Sequence, residues 1–179
     1  MMLNLFRLSA ALSTMLIALA AISSAQGTKE SPELKDLAGE WELVTGESET
    51  RFGPPYLSGS LVVKVRGEEV TISRSLEDRD GTVERELSYY GDGRGELNVW
   101  MRADGEYTIE RKSKSKWKSG KLLVKWSQKS NMGWYNVEEI YSLNKEGNVL
   151  TFRVMPQIIR PGLTRAADYA EKLVFRRKG

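Results

Sequence analysis

The protein has 179 residues, among them 27 lysines and arginines, 24 aspartates and glutamates, no histidine and no cysteine. The lack of histidine excludes the usual zinc sites, the serine–histidine nucleophile and the ordinary general base near neutral pH, so we expect neither an enzyme nor a bound metal or cofactor. The net charge of +3 is small, so basic character must be local and nucleic acid is not an expected partner.

The chain begins with a segment typical of a secretory signal peptide. Residues 8–22 are mostly apolar, Arg7 is the only charge before them, and the small residues SSA that follow suit a signal peptidase. We therefore expect cleavage after residue 25, a periplasmic or secreted location and no membrane span once the signal is removed. The alternative is that the apolar segment stays attached as an N-terminal anchor.

The rest of the chain has the rhythm of a β protein. Residues 26–37 are polar and predict a flexible lead-in with a short helical turn, and residues 38–179 predict a single domain. In that domain ten glycines recur at intervals of 12 to 15 residues, mostly in turn sequences such as RDG, GDG and KEG. Such evenly spaced turns between short apolar runs predict an all-β fold, an antiparallel up-and-down β-barrel of about 8–10 strands. At most one short helix is expected, over Leu163–Lys172.

An arginine interrupts the apolar face of the strand VTISRSL. Side chains two apart share a face, so Arg74 projects on the same side as Ile72. A turn at Asp80-Gly81 would place Arg74 opposite Leu87. The same register would put Arg85 opposite Leu76, which is also on the apolar side.

The segment ERKSKSKWKSGK carries lysine at every second position. A two-residue turn at Ser119-Gly120 predicts one apolar face, in which Trp117 lies opposite Leu122, Ser115 opposite Val124 and Ser113 opposite Trp126. The opposite face carries Lys112, Lys114, Lys116, Lys118, Lys121 and Lys125. We interpret this lysine strip as the solvent-exposed side of a half-buried hairpin. The alternative is a binding surface for anionic lipid head groups or anionic wall polymers.

Four charged side chains point towards the predicted interior. Alternation places Arg111 on the same face as Trp117, and Glu139 on the same face as Tyr141, in addition to Arg74 and Arg85. Buried charges are costly unless they are paired, so two interpretations stay open. In the first, these residues lie near strand ends and reach the barrel rim, or a β-bulge changes the face on which they lie. In the second, they line a partly polar cavity together with Trp126 and Tyr141. Trp100 cannot be assigned to a face, because LNVWM is apolar in both registers.

The opening LAGEWELV resembles the first strand of the calycin group, the lipocalins and fatty-acid-binding proteins, which begins with Gly-x-Trp. Here the motif is Gly39-Glu40-Trp41. The strand WKSGKLLV and the paired arginines near the C-terminus are similar to secreted bacterial lipocalin-like domains of unassigned function. The resemblance implies that Trp41 plugs one end of a barrel and that Arg176 or Arg177 covers it. The chain departs from fatty-acid-binding proteins because Glu139, two residues before Tyr141, stands where they have an arginine.

Two functions follow from these observations. The first is an exported binding protein for a small amphipathic, anionic ligand, with Arg74, Arg85 and Arg111 as polar anchors near Trp126 and Tyr141. The second is a non-enzymatic interaction protein with a filled barrel, which binds anionic envelope components through the lysine strip.

Overall fold

The computed structural model describes residues 32–51, 53–101, 108–130, 133–158 and 170–179. The expected signal peptide lies outside these residues. Two 3₁₀ turns, Leu34–Leu37 and Thr45–Glu47, are the helical segments of the described part. The strands are β1 (Gly39–Leu43), β2 (Glu49–Thr50), β3 (Ser58–Arg66), β4 (Glu69–Asp78), β5 (Gly81–Tyr90), β6 (Asp92–Met101), β7 (Thr108–Lys118), β8 (Lys121–Ser130), β9 (Gly133–Leu143), β10 (Val149–Ile158) and β11 (Glu171–Arg177).

The strands form one antiparallel sheet that curls into a nearly closed barrel, so the predicted all-β barrel is confirmed. Their order is β5-β4-β3-β1-β11-β10-β9-β8-β7-β6, and the short β2 pairs with β11. Most neighbours in the sheet are also neighbours in the chain, as in an up-and-down barrel. The exception is β1, which lies between β3 and the last strand and joins the two ends of the chain. No helix in the described part is long and apolar enough to cross a membrane.

The barrel has a seam between β5 and β6, which are consecutive in the chain but are the two edges of the sheet. Side chains bridge this seam. The amide of Asn98 accepts the backbone N–H of Ser88 at 2.7 Å and donates to its carbonyl oxygen at 2.9 Å. Ser115 Oγ accepts the N–H of Tyr90 at 2.7 Å and donates to its carbonyl oxygen at 2.9 Å. These contacts give hydrogen-bond partners to backbone N–H and C=O groups of β5 that a neighbouring strand would otherwise pair.

The register predicted for the β7–β8 hairpin is confirmed. Trp117 pairs with Leu122, Ser115 with Val124 and Ser113 with Trp126. Ser119 and Gly120 both have positive φ, 50° and 73°, which is the backbone of a two-residue hairpin turn.

The register predicted for the β4–β5 hairpin was wrong. Arg74 lies opposite Arg85, and not Leu87, while Leu76 lies opposite Val83. The turn falls at residues 79–80, one position earlier than expected, because the Asp78 carboxylate accepts the N–H of Asp80 at 2.8 Å and closes the loop there. The pairing therefore shifts by two residues, which leaves both arginines on the inner face.

The end of the barrel at which β1 begins is filled by side chains. Trp41, Leu61, Val70, Leu122 and Leu150 are almost completely buried there. Leu37, in the first 3₁₀ turn, is buried with them, and its carbonyl oxygen accepts the indole N–H of Trp41 at 3.1 Å. The last part of the segment 26–37 is thus part of the core and not a separate lead-in.

The C-terminal strand is one of the core strands. β11 begins at Glu171, so the helix expected over Leu163–Lys172 does not extend to its last two residues. The rest of that expectation falls on residues 163–169, which lie outside the described residues, and on Ala170, a bend. Leu173 and Phe175 are completely buried because their side chains face the barrel interior.

Candidate functional site

A buried ion pair crosses the barrel interior. Arg111 on β7 and Glu139 on β9 approach to 2.6 Å between Nη1 and Oε1, and both side chains are less than a tenth exposed. Glu139 also accepts the O–H of Tyr89 at 3.2 Å and the indole N–H of Trp126 at 3.0 Å. Arg111 Nη2 donates to the Tyr89 hydroxyl at 2.7 Å. Four strands therefore contribute to one charge-assisted network.

Two members of this network, Tyr89 and Arg111, have raised pKa values. Burial, followed by the neighbouring Tyr141 and Glu139, raises the pKa of Tyr89 well above its usual value, so the phenol stays neutral. Burial by itself lowers the pKa of Arg111, but Tyr89 and Glu139 outweigh that effect and the pKa is raised. The guanidinium is therefore charged at every accessible pH.

Arg74 and Arg85 face each other without a neutralising partner between them. They are register partners on β4 and β5, and within the described part of the chain neither guanidinium has a hydrogen bond or an ion pair. Burial lowers the pKa of Arg85, and the positive charges of Arg74 and Arg111 lower it further. Like charges directly opposite one another on a ladder repel. Of the three interior arginines, Arg85 is therefore the least compensated in the described part of the chain.

Aromatic rings form the walls around the arginines. The Arg74 guanidinium lies 5.3 Å from the Phe152 ring centroid, and that of Arg85 lies 5.3 Å from the Trp100 ring. The Arg111 guanidinium lies 5.4 Å from the Trp100 ring centroid and 5.1 Å from that of Trp126. The indole of Trp100 is thus within cation–π distance of two guanidinium groups, and this attraction stabilises the arrangement.

A second acidic group lies near Arg74. Burial lowers the pKa of Arg74, but Tyr141, then Glu171 on β11 and Glu139, outweigh that effect and the pKa is raised. Tyr56 belongs to the same corner, where burial first and Glu171 second raise its pKa to about 12. Three arginines therefore share the described interior with three carboxylates, because Glu96 on β6 is also buried and accepts the Ser113 hydroxyl at 2.6 Å. Arg111 is paired directly, with Glu139, whereas Arg74 and Arg85 have no ion pair within the described residues.

Three buried polar atoms in the described part have no hydrogen-bond partner, and all three belong to this cluster. They are Trp100 Nε1, Arg111 Nε and Tyr141 Oη. Buried donors without partners are rare because each one costs free energy. Their concentration in one place, beside the facing Arg74 and Arg85, indicates a site that can accept a polar group.

All six interior candidates from the sequence lie in this cluster. Arg74 and Arg85 are half-buried, and Arg111, Glu139 and Tyr141 are buried, while Trp126 is partly buried. Tyr141 contacts Tyr89 and Phe152, with ring centroids 6.1 and 4.6 Å away.

Sequence reasoning missed four members: Tyr56, Tyr89, Trp100 and Glu171. Tyr89 could have been found, because it lies two and four residues after Leu87 and Arg85 and so shares their face.

The lysine strip lies on the outside of the barrel. All six lysines are exposed, which confirms the solvent-facing orientation predicted for them. Lys114 lies opposite Lys125, and Lys118 lies opposite Lys121. Lys125 reaches Glu138 on β9 at 3.5 Å, which compensates part of the repulsion.

The Gly-x-Trp motif lies at the filled end. Arg177 covers the Trp41 ring at 4.2 Å, whereas Arg176 is exposed and pairs with Glu47 at 2.8 Å. Gly39 has φ +144°, and a Cβ at this position would lie 2.5 Å from Arg177 Nη1. Glycine is therefore required for the arginine to reach the indole.

No protein-family model matches the sequence, and no curated protein matches it significantly. Within the described residues, no group of three or more acidic side chains could hold a metal ion. The features that bear on function are the interior arginine cluster and the lysine strip on the outer surface.

Proposed function

We propose that the protein is an exported lipocalin-like binding protein for a small amphipathic anion. The acidic group of the ligand lies between Arg74 and Arg85 inside the barrel. The single observation that carries this proposal is the direct opposition of these two arginines with no hydrogen bond or ion pair in the described part of the chain.

An anionic group would relieve an unfavourable arrangement. Two facing guanidinium groups in a partly buried site repel each other and lose hydration. A carboxylate, phosphate or sulfate accepts hydrogen bonds from both and is matched to the planar donor pattern of arginine. Since Arg111 already uses both terminal nitrogens for Glu139 and Tyr89, it supports the site and is not its main anchor.

The apolar part of the ligand would contact aromatic walls. Trp100, Trp126 and Phe152 surround the three arginines within cation–π distance. Sites for small molecules typically combine such walls with a few convergent polar groups. The filled half of the barrel around Trp41 and Leu122 limits how deeply a ligand could enter.

The calycin-like assignment is part of the proposal. It is supported by the nearly closed antiparallel barrel and by the contact of Arg177 with the Gly-x-Trp tryptophan. Because one fold carries many functions, the arginine pair is the feature that specifies the ligand class.

Two fluorescent probes of similar shape test the proposal. Anilinonaphthalene sulfonate carries one negative charge, and N-phenyl-1-naphthylamine is neutral. We expect the native protein to bind the sulfonate. Arg74→Gln or Arg85→Gln should weaken sulfonate binding about 10-fold or more, the loss typical of a hydrogen bond to a charged group. The affinity for the neutral probe should change little.

The matched control is Arg153→Gln, on the outer side of β10, which should leave both affinities unchanged. Near-ultraviolet circular dichroism should be the same for every variant. The proposal is wrong if the native protein binds neither probe. It is also wrong if the interior variants lose both probes equally, since that result would show a general loss of packing.

A further inference from the structure

The outer side of the edge strand β6 carries an apolar stripe. Leu97, Val99 and Met101 alternate along the strand and are 52%, 51% and 69% exposed. With Leu57, they are the large apolar side chains of the described part that are most open to solvent. Three such residues on one side of one strand form a patch and not a scatter of single exposed residues.

The apolar stripe lies directly beside the lysine strip. Leu97 is the register partner of Lys112, and Gly95, with no side chain, is the partner of Lys114. On β8, Lys125 continues the row across from Lys114. The outward positions described on β7 and β8 hold six lysines and one carboxylate, Glu110. Glu138 on β9 pairs with Lys125 at 3.5 Å.

We propose that this combined face docks on an anionic phospholipid bilayer. The stripe would enter the boundary between head groups and acyl chains, and the lysines would contact lipid phosphates. Apolar side chains flanked by basic ones bind membrane surfaces in this way, through buried apolar area and attraction to anionic lipids.

The combination of features favours a bilayer over other partners. A soluble polyanion would use the lysines but would leave Leu97, Val99 and Met101 in water. A second copy of the chain would bring Lys114 and Lys125 against lysines of the same sign, which costs free energy. The flanking edge groups at Ser88 and Tyr90 are already bonded to Asn98 and Ser115, so addition of a strand at this seam is not favoured either.

This inference does not depend on the interior site. If both proposals are correct, the protein binds an anionic membrane surface and takes amphipathic anions from that membrane. The two proposals use different residues, so they fail separately.

Vesicle co-sedimentation at about 0.1 M salt tests the docking. The vesicles contain either phosphatidylcholine alone or phosphatidylcholine with about one third phosphatidylglycerol. We expect purified protein to bind the mixed vesicles at least tenfold more strongly than the neutral ones. A lysine next to an anionic surface contributes about fivefold in affinity, so Lys114→Glu with Lys116→Glu and Lys118→Glu should reduce binding more than 100-fold.

The apolar stripe is tested by Leu97→Ser with Val99→Ser and Met101→Ser, which should reduce binding about tenfold or more without changing the charge. The charge-matched control is Lys64→Glu with Arg66→Glu and Lys178→Glu. These exposed cations belong to or follow β3 and β11, away from the lysine strip in the sheet order, and their reversal should reduce binding only a few-fold.

Three outcomes would overturn the inference. It fails if the native protein shows no preference for phosphatidylglycerol, if the control variant loses as much binding as the lysine variant, or if the serine variant binds as well as the native protein. The last result would indicate simple attraction to polyanions. Every surface variant should keep the native melting temperature and the native affinity for anilinonaphthalene sulfonate, which separates docking from the interior site.

Discussion

The guanidinium of Arg177 lies 4.2 Å from the ring centroid of Trp41, its register partner across β1 and β11. Arg177 also donates to three backbone carbonyl oxygens, those of Asp36 and Ala38 at 2.6 Å and that of Gly147 at 3.1 Å. One side chain therefore ties the first 3₁₀ turn and the turn before β10 to the last strand. The chain has no cysteine, so contacts of this kind must hold the barrel end together.

Replacing Trp41 with alanine should nearly unfold the protein. The indole is fully buried, and losing a packed aromatic side chain costs about 3–5 kcal/mol. That is a large part of the free energy of unfolding of a single domain, which is about 5–15 kcal/mol. Urea denaturation followed by circular dichroism measures the loss. A variant with native stability would show that the barrel end can close without the plug.

Arg177→Ala should be much more damaging than Arg176→Ala, although the two residues are neighbours on β11. Removing Arg177 takes away a cation–π contact, worth about 0.5–2 kcal/mol, and three charged hydrogen bonds to carbonyl groups. Arg176 is exposed, so its loss should change the free energy of unfolding by about 0.5 kcal/mol or less. The difference between the two denaturation midpoints is the measurement. Equal midpoints would contradict the role assigned to Arg177.

The seam should open locally when Asn98 is replaced by alanine. Both backbone groups of Ser88 lose their partner, at a cost of about 1–3 kcal/mol. Amide hydrogen exchange should become faster at Ser88 and Tyr90 before it does so in β10. Ser127→Ala removes an exposed side-chain hydrogen bond on β8 and is the control, with little expected effect. Unchanged exchange at Ser88 would show that other contacts close the seam.

Stability should fall in alkaline solution between about pH 10 and 12. Burial raises the pKa of Tyr89, Tyr141 and Tyr56, the last to about 12, so these phenols stay neutral in the folded state. In the unfolded chain they ionise near pH 10. The stabilisation is therefore complete below pH 10 and is lost as the pH rises through the folded-state values. Melting temperatures measured with tyrosinate absorbance at 295 nm test this, and Tyr56→Phe should make the decline less steep.

Arg85→Met should stabilise the protein, whereas Arg111→Met should destabilise it. Arg85 is partly buried with a lowered pKa and no carboxylate partner in the described part, so an apolar replacement removes repulsion. Removing Arg111 leaves Glu139 buried without its cation, which typically costs about 3–5 kcal/mol. Thermal melts of the two variants compare them directly. If Arg85→Met lost as much stability as Arg111→Met, Arg85 would be a structural residue and not an uncompensated one.

Local patterns in the sequence determined the all-β fold and, in the strands with clear alternation, the side of the barrel that each residue faces. The β7–β8 hairpin shows why: alternation of lysine with small or apolar residues sets the face, and Ser119-Gly120 sets the register, so both are local properties. Arg74 and Arg85 were assigned to the inside for the same reason. Their pairing was not, because one hydrogen bond from Asp80 to Asp78 moved the turn and shifted the register by two residues.

Only the tertiary structure decided where the barrel closes and what surrounds the arginines. Trp100 could not be assigned from alternation because Leu97, Val99 and Met101 are apolar although they face solvent. Its ring lies inside the barrel, where it contacts Arg85 on β5 and Arg111 on β7. The seam likewise appears only in the tertiary structure, where β5 and β6 are the two edges of the sheet although they are consecutive in the chain. Contacts between residues distant in the chain produce both features, so no local pattern could have specified them.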